Sequence, residues 1–230
     1  EDGVPPLNCP FDPVHRVLIT PNGWRIPFLK ADSIPGWRRY SPTSYIYPDT
    51  KELINDRNRR SLLVSVSASS EIGKGGVIAD GYKGIPICKG EKYDLSFYIK
   101  GGSTVNPKTI SVALADSSGK TLYCNPFQIA PIYEWQKYTH TFTATETSNQ
   151  ATLVFTSDSS TVFWLDVVSL FPQKTWKERQ NGWRPELMER IAALNPKFIR
   201  FPGGSFVEGY TAGTYPIWRE TIGGIDQRKH

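Results

Sequence analysis

The residues best suited to chemistry lie in the last quarter of the chain. Phe198-Ile199-Arg200-Phe201 is a short apolar run that leads into Pro202-Gly203-Gly204, a turn in which the backbone gains freedom or approaches a ligand closely. Arg200 interrupts this apolar strand, and a buried guanidinium must be paired. It is either a structural ion pair or a group turned toward the carboxylates of a site, and alternation places it opposite Ile199 in facing. The carboxylates after residue 172 are Glu178, Glu186, Glu189, Glu208, Glu220 and Asp226. Glu186 and Glu189 fall in the first turns of a helix, where the dipole accounts for them, and Glu178 and Asp226 read as surface groups. Glu208 and Glu220 lie beyond the end of the strand, but as exposed acids they read first as solvated or salt-bridged loop groups. Cys9, Cys88 and Cys124 are widely spaced, with no C-x-x-C pair and no nearby His, so they allow at most one disulfide and no zinc site. The densest basic spots, Trp37-Arg38-Arg39-Tyr40 and Arg57-Asn58-Arg59-Arg60, carry no helical or strand pattern with stacked aromatics, and they read as solvated turns rather than a nucleic-acid surface.

Three kinds of sequence must position these groups. The chain has 230 residues, with 27 Lys plus Arg against 22 Asp plus Glu, 39% hydrophobic and 13% aromatic residues. That balance excludes a disordered chain. The apolar stretches, such as Val162 to Leu165, are broken by charges such as Asp166 long before membrane-spanning length. Residues 1–35 are rich in Pro, Gly, Asn and Asp and form a loop-rich N-terminal segment with short extended runs such as Val17-Leu18-Ile19. From Ser61 onward short strands alternate: Leu62, Val64 and Val66 in one, and Tyr93, Leu95, Phe97 and Ile99 in another. Further runs follow at Ile110 to Leu114, Tyr138 to Thr143, Ala151 to Thr156 and Val162 to Leu170, separated by turn formers. Many short strands with frequent turns predict a jelly-roll β-sandwich over residues 36–172. After Pro172 the period changes. Pro185 opens a helix with Leu187, Met188, Ile191 and Leu194 on one stripe, and Asn195-Pro196 closes it. Helix, buried strand and glycine turn together are the grammar of a parallel α/β domain, in which ligands gather beyond the carboxyl ends of the strands. Only 58 residues, 173–230, are available for it, whereas a (β/α)8 barrel takes about 250. The fold class expected is therefore mainly β, a sandwich followed by an incomplete barrel segment.

The stretch from Phe198 through Gly204 to Ser205-Phe206-Val207-Glu208-Gly209-Tyr210, continued by Trp218-Arg219-Glu220-Thr221-Ile222-Gly223, resembles the α-L-arabinofuranosidases of glycoside hydrolase family 51. Trp164 to Pro172, Thr175-Trp176-Lys177 and Asn181 to Leu194 are similar to that family's join between an inserted carbohydrate-binding-type sandwich and its barrel. Gly84-Ile85-Pro86 and Lys89-Gly90-Glu91-Lys92-Tyr93 match the same sandwich. The resemblance covers roughly residues 60–230 and is strongest from Trp164 onward.

The resemblance implies a retaining hydrolase that removes terminal arabinofuranosyl residues from cell-wall polysaccharides such as arabinoxylan or arabinan, in an extracellular setting and without a cofactor or metal. Retention requires two carboxyl groups about 5–5.5 Å apart. The family places its two glutamates at the ends of later strands, the acid following an Asn, and no Asn-Glu dipeptide occurs after residue 172. The expectation is an N-terminal fragment without its catalytic pair and inactive alone. By resemblance, Arg200, Gly203, Gly204, Ser205 and Trp218 contact the sugar, although Ser205 stands where the family carries Asn or Cys. A sugar platform on the sandwich would need exposed rings, for which Trp37, Tyr82, Trp135 and Tyr138 are candidates. The alternative function is a non-catalytic carbohydrate-binding module. In either case the partner is an arabinose-containing polysaccharide or oligosaccharide, not nucleic acid or membrane.

Overall fold

The computed structural model describes residues 11–12, 17–19, 25–27, 34–58, 60–69, 73–81, 83–103, 105–200 and 217–228. Near the N-terminus β1 (Phe11–Asp12), β2 (Val17–Ile19) and β3 (Arg25–Pro27) pair into a small antiparallel sheet. The strands that follow are β4 (Trp37–Arg39), β5 (Ser44–Asp49), β6 (Ser61–Val66), β7 (Gly75–Ala79), β8 (Ile85–Ile87) and β9 (Lys92–Gly101). They continue with β10 (Ile110–Ala115), β11 (Phe127–Ile129), β12 (Gln136–Thr143), β13 (Ser148–Ser157) and β14 (Thr161–Pro172). They form two antiparallel sheets, one in the order β12-β9-β14-β6-β5 and the other β11-β10-β13-β7-β4 with β8 on the side of β13.

The alternating strands make the interior. Tyr93, Leu95, Phe97 and Ile99 of β9 are buried while Asp94, Ser96 and Tyr98 point outward, as a period of two requires. Phe97 meets Phe155 of the opposite sheet edge to face at 5.1 Å, and Leu95, Phe142, Phe163 and Leu165 complete the shared core.

Strand β14 contains a bulge: Asp166 pairs with Tyr98 and Ser169 with Ser96, so Val167 and Val168 together oppose Phe97. The extra residue returns Leu170 toward the interior and Phe171 to the outside. Val167 takes φ 46°, a strained conformation for a β-branched residue, and Asp166 secures it. Its Oδ1 accepts from the Val167 amide at 2.7 Å and its Oδ2 from Asn58 Nδ2 at 2.9 Å.

Beyond the sandwich come a 3-10 turn at Trp176–Glu178 and helix α1 (Pro185–Ala193), with Pro in the first turn as the sequence predicts. The apolar stripe of α1 is uncovered among the described residues: Leu187, Ile191 and Leu194 are exposed. The buried strand expected at Phe198–Phe201 is not formed over its described residues. Residues 198–200 carry no strand, and Phe198 is 84% and Ile199 83% exposed. Extended backbone needs a neighbouring strand to satisfy its amides, and no described strand lies beside them.

Candidate functional site

The two sheets differ on their outer faces. On the β11-β10-β13-β7-β4 sheet, Arg38, Ile78, Val154 and Ala113 lie side by side across four strands. Because Phe155 points inward, Val154 and its row point outward, yet Ile78, Val154 and Ala113 are all buried. The Asp116–Lys120 turn lies against Ile78 in this row. A Cβ at Gly119 would lie 2.9 Å from Ile78 Cδ1 and 3.0 Å from the Tyr40 ring, and the Arg38 guanidinium donates to the Ser117 carbonyl while pairing with Asp80 at 2.9 Å. Asp116 holds the turn by accepting from the Ser118 hydroxyl and the Ser118 and Lys120 amides; the Ser118 bond above all keeps its carboxyl well below the usual range.

The outer face of the β12-β9-β14-β6-β5 sheet is open and chemically richer. Tyr47, Leu63, Trp164 and Lys100 form a row across four strands. At its edge the rings of Tyr45 and Tyr47 stack at 6.5 Å with 11° between planes, 56% and 49% exposed. Trp164 Nε1 donates to Asp49 Oδ2 at 2.7 Å. Burial pushes the Asp49 carboxyl up, but the Lys51 and Thr50 amides and this indole outweigh it and leave it lowered. Lys100, only 8% exposed, pairs with Glu52 at 2.5 Å and lies 3.9 Å from the Tyr133 ring centroid. The Tyr133 hydroxyl donates to the same Glu52 at 3.3 Å.

Further along this face a polar cleft of ≈ 480 Å³ opens between Asp94, Ser96, Thr139, Thr141, Ser169 and Phe171. Asp94 Oδ1 accepts from Thr141 at 2.7 Å and from Gln173 at 2.8 Å, and the Ser96 and Ser169 hydroxyls meet at 2.9 Å. Between cleft and aromatic row stands Tyr98. Its hydroxyl donates to Asp226 in the 3-10 turn Ile225–Gln227, which belongs to the segment after the helix. Asp226, read from sequence as a surface group, is thus held against the sandwich.

The residues predicted for the site are scattered. Arg200 is exposed; Trp218 opens the 3-10 turn Trp218–Thr221; Gly203, Gly204, Ser205, Glu208 and Tyr82 lie outside the described residues. Trp37 is half-buried against the core and lines a ≈ 300 Å³ cavity with Leu62, Leu165 and Asp166. Trp135 is partly buried, and its Nε1 is buried without a partner among the described residues. Tyr138 stacks on Phe97 at 5.8 Å and packs against the core. The exposed aromatic groups of this face among the described residues are instead Tyr45, Tyr47 and Tyr133, which were not expected from the sequence; the alternation of Tyr45-Ile46-Tyr47 was the available signal. Of the carboxylates, Glu186 pairs with Arg184 in the first turn of α1, and its own amide first and then the guanidinium hold it below its ordinary value. No cluster of metal-ligating side chains occurs among the described residues, and no helix there is long and apolar enough to cross a membrane.

Comparison with known proteins divides the chain at the same place. Residues 36–161 match a family model described as a carbohydrate binding domain, and residues 190–230 match one described as an alpha-L-arabinofuranosidase 1 domain. An extracellular exo-α-L-arabinofuranosidase of Streptomyces chartreusis is 38% identical over 210 residues, which cover 83% of this chain and 24% of that protein. α-L-Arabinofuranosidase 2 of Arabidopsis thaliana is 33% identical over 199 residues, covering 84% of this chain and 29% of that one. The solved structure of an arabinose-bound family 51 α-L-arabinofuranosidase superposes with a TM-score of 0.76 at 24% identity over 87% of this chain and 34% of that one, a likeness of fold. The chain spans about a quarter of the length of the curated relatives it matches.

Proposed function

We propose that this chain, which belongs to the carbohydrate-binding domain family through residues 36–161 and resembles the N-terminal part of family 51 α-L-arabinofuranosidases, works as part of a retaining hydrolase of terminal arabinofuranosyl residues. The observation that carries the reading is the order of the two matched regions, a sandwich followed within 30 residues by the arabinofuranosidase segment. In this reading residues 36–172 are a jelly-roll module and 173–230 the first part of a (β/α)8 barrel whose further strands cover the apolar stripe of α1 and pair with Phe198–Phe201. The uncovered Leu187, Ile191, Phe198 and Ile199 support it, since apolar groups at such spacing seek a partner.

Within the barrel segment Arg200, Gly203, Gly204, Ser205 and Trp218 contact the arabinose ring. The nucleophilic and acid–base glutamates belong to later strands of the whole enzyme, because no pair of carboxylates in residues 173–230 carries the family's pattern. The substrates are arabinose-containing polysaccharides or oligosaccharides met outside the cell, as the name of the Streptomyces relative suggests.

Release of 4-nitrophenol from its α-L-arabinofuranoside tests this reading. The full-length enzyme is expected to hydrolyse it and the 230-residue chain is not; turnover by the short chain alone overturns the placement of the glutamates. A second role, sugar binding by the sandwich, is favoured by the exposed Tyr45–Tyr47 stack. It predicts heat on titration with arabinoxylan that disappears in Tyr45→Ala.

A further inference from the structure

Asp226 lies where three separate elements of the sandwich converge. Asn55, in the loop between β5 and β6, donates Nδ2 to the Asp226 carbonyl at 2.7 Å. Tyr98 of β9 donates its hydroxyl to Asp226 Oδ2. Lys137 of β12 brings Nζ to 3.7 Å from the same oxygen and lies 5.3 Å from the Tyr98 ring centroid. The carboxylate thus receives a phenol and an ammonium while its main chain is held by an amide, a three-point attachment that fixes orientation as well as position.

The segment bearing Asp226 is shaped to present it. Gly223 takes φ 109°, which side chains rarely adopt, and a Cβ on Gly224 would come 2.7 Å from Asp226 Oδ1. The Gln227 amide donates to the Gly224 carbonyl at 2.9 Å, and the Arg228 guanidinium donates to the Gly223 carbonyl at 3.0 and 3.2 Å. Directly before this turn runs the 3-10 helix Trp218–Thr221. A lone surface pair would mean little, but here a glycine-dependent turn meets a seat built from two strands and one loop that are far apart in sequence.

We infer that Asn55, Tyr98 and Lys137 are positioning residues: they anchor Asp226 and with it the segment 217–228 that carries Trp218, so that the sandwich holds this part of the barrel segment in place. This rests on the arabinofuranosidase reading. It gives the outer face of the β12-β9-β14-β6-β5 sheet a definite occupant, the turn that bears Asp226, whether or not the sandwich itself binds sugar.

The test uses the full-length enzyme with Tyr98→Phe, which keeps the ring in its packing and deletes only the donor, and with Asn55→Ala. Loss of the anchor is expected to raise KM for the 4-nitrophenyl arabinofuranoside about tenfold with kcat within about twofold. Thermal unfolding of Tyr98→Phe should stay close to wild type, which separates positioning from a purely structural role. Unchanged KM in both variants of an active enzyme overturns the inference. A wild-type enzyme that hydrolyses nothing instead sinks the activity reading, and the seat is then judged in the 230-residue chain by 13Cζ tyrosine NMR. There the bond to Asp226 pushes the Tyr98 phenol up to about 12, and Asp226→Asn should return it toward the ordinary value of 10.0. A Tyr98 that titrates near 10.0 in the wild-type chain overturns the seat.

Discussion

The two sheets of the sandwich share one core but use their outer faces in opposite ways. On β10, β7 and residues 151–157 of β13 burial runs almost unbroken, on the outward side as well as the inward one, and the Asp116–Lys120 turn lies against Ile78 there. On β9 and β12 burial alternates, and the outward side chains are hydroxyls, carboxylates, ammonium groups and a phenol. The closed face is small and aliphatic: Ala113, Val154 and Ile78 offer a sugar no ring to stack on and no group to bond. The open face has both, and it also receives the segment that follows the helix. In a chain whose family is defined by carbohydrate binding, the structure thus leaves one face of the sandwich available for contact, and part of that face is already occupied by the protein itself.

The largest test of this contrast is to place a charge on each face. Val154→Asp puts a carboxylate on the outward side of β13 at a position 2% exposed, and should cost about 4 kcal/mol or more in urea unfolding. Thr139→Asp, outward on β12, should change stability by less than about 0.5 kcal/mol. Equal effects would mean the two faces are covered alike. A smaller effect comes from the turn itself: Gly119→Ala meets both a φ of 77° and the close Ile78 and Tyr40 atoms, and should cost about 1–3 kcal/mol. Retention of wild-type stability there would show that the turn does not press on the sheet.

How far this contrast is legible in the sequence depends on whether a strand has one dry face or two. β9 and β12 declare themselves by alternation, and the run Ile110 to Leu114 by length alone. β7 does not: Gly75-Gly76-Val77-Ile78-Ala79 has no period, because both its faces are buried and Gly76 must let its backbone approach Phe155, whose carbonyl oxygen would lie 2.0 Å from a Cβ. α1 is legible from Pro185 and its stripe, as caps and period are local. Phe198-Ile199 reads as a strand from composition, but a strand exists only beside a neighbour. The seat for Asp226 is beyond any local rule, since Tyr98 and Asp226 stand 128 residues apart and only the register of β9 and β12 brings phenol and ammonium together. The same holds for Tyr47, Leu63, Trp164 and Lys100, which become a row only once four strands are paired.

The smallest effect separates the interior from the open face by pH. His140 of β12 is stacked on Phe127 at 4.3 Å with 8° between planes and meets Phe142 at 4.8 Å, and burial lowers its pKa from the ordinary 6.5. With the folded value depressed, the neutral ring favours the native state above 6.5, and that contribution is lost as pH falls from there through the folded value. Asp49 and Asp226 are also depressed, from 3.8, so what they contribute is complete above that value and is lost only at lower pH. Thermal unfolding followed from pH 7 downward should therefore decline in two separate stages: a first that His140→Phe abolishes, and a second, below 3.8, that His140→Phe leaves intact and Asp49→Asn with Asp226→Asn weakens. If His140→Phe left the upper stage unchanged, the ring between the sheets would not be the group that titrates there, and the interior of this edge would be wetter than its stacked aromatics imply.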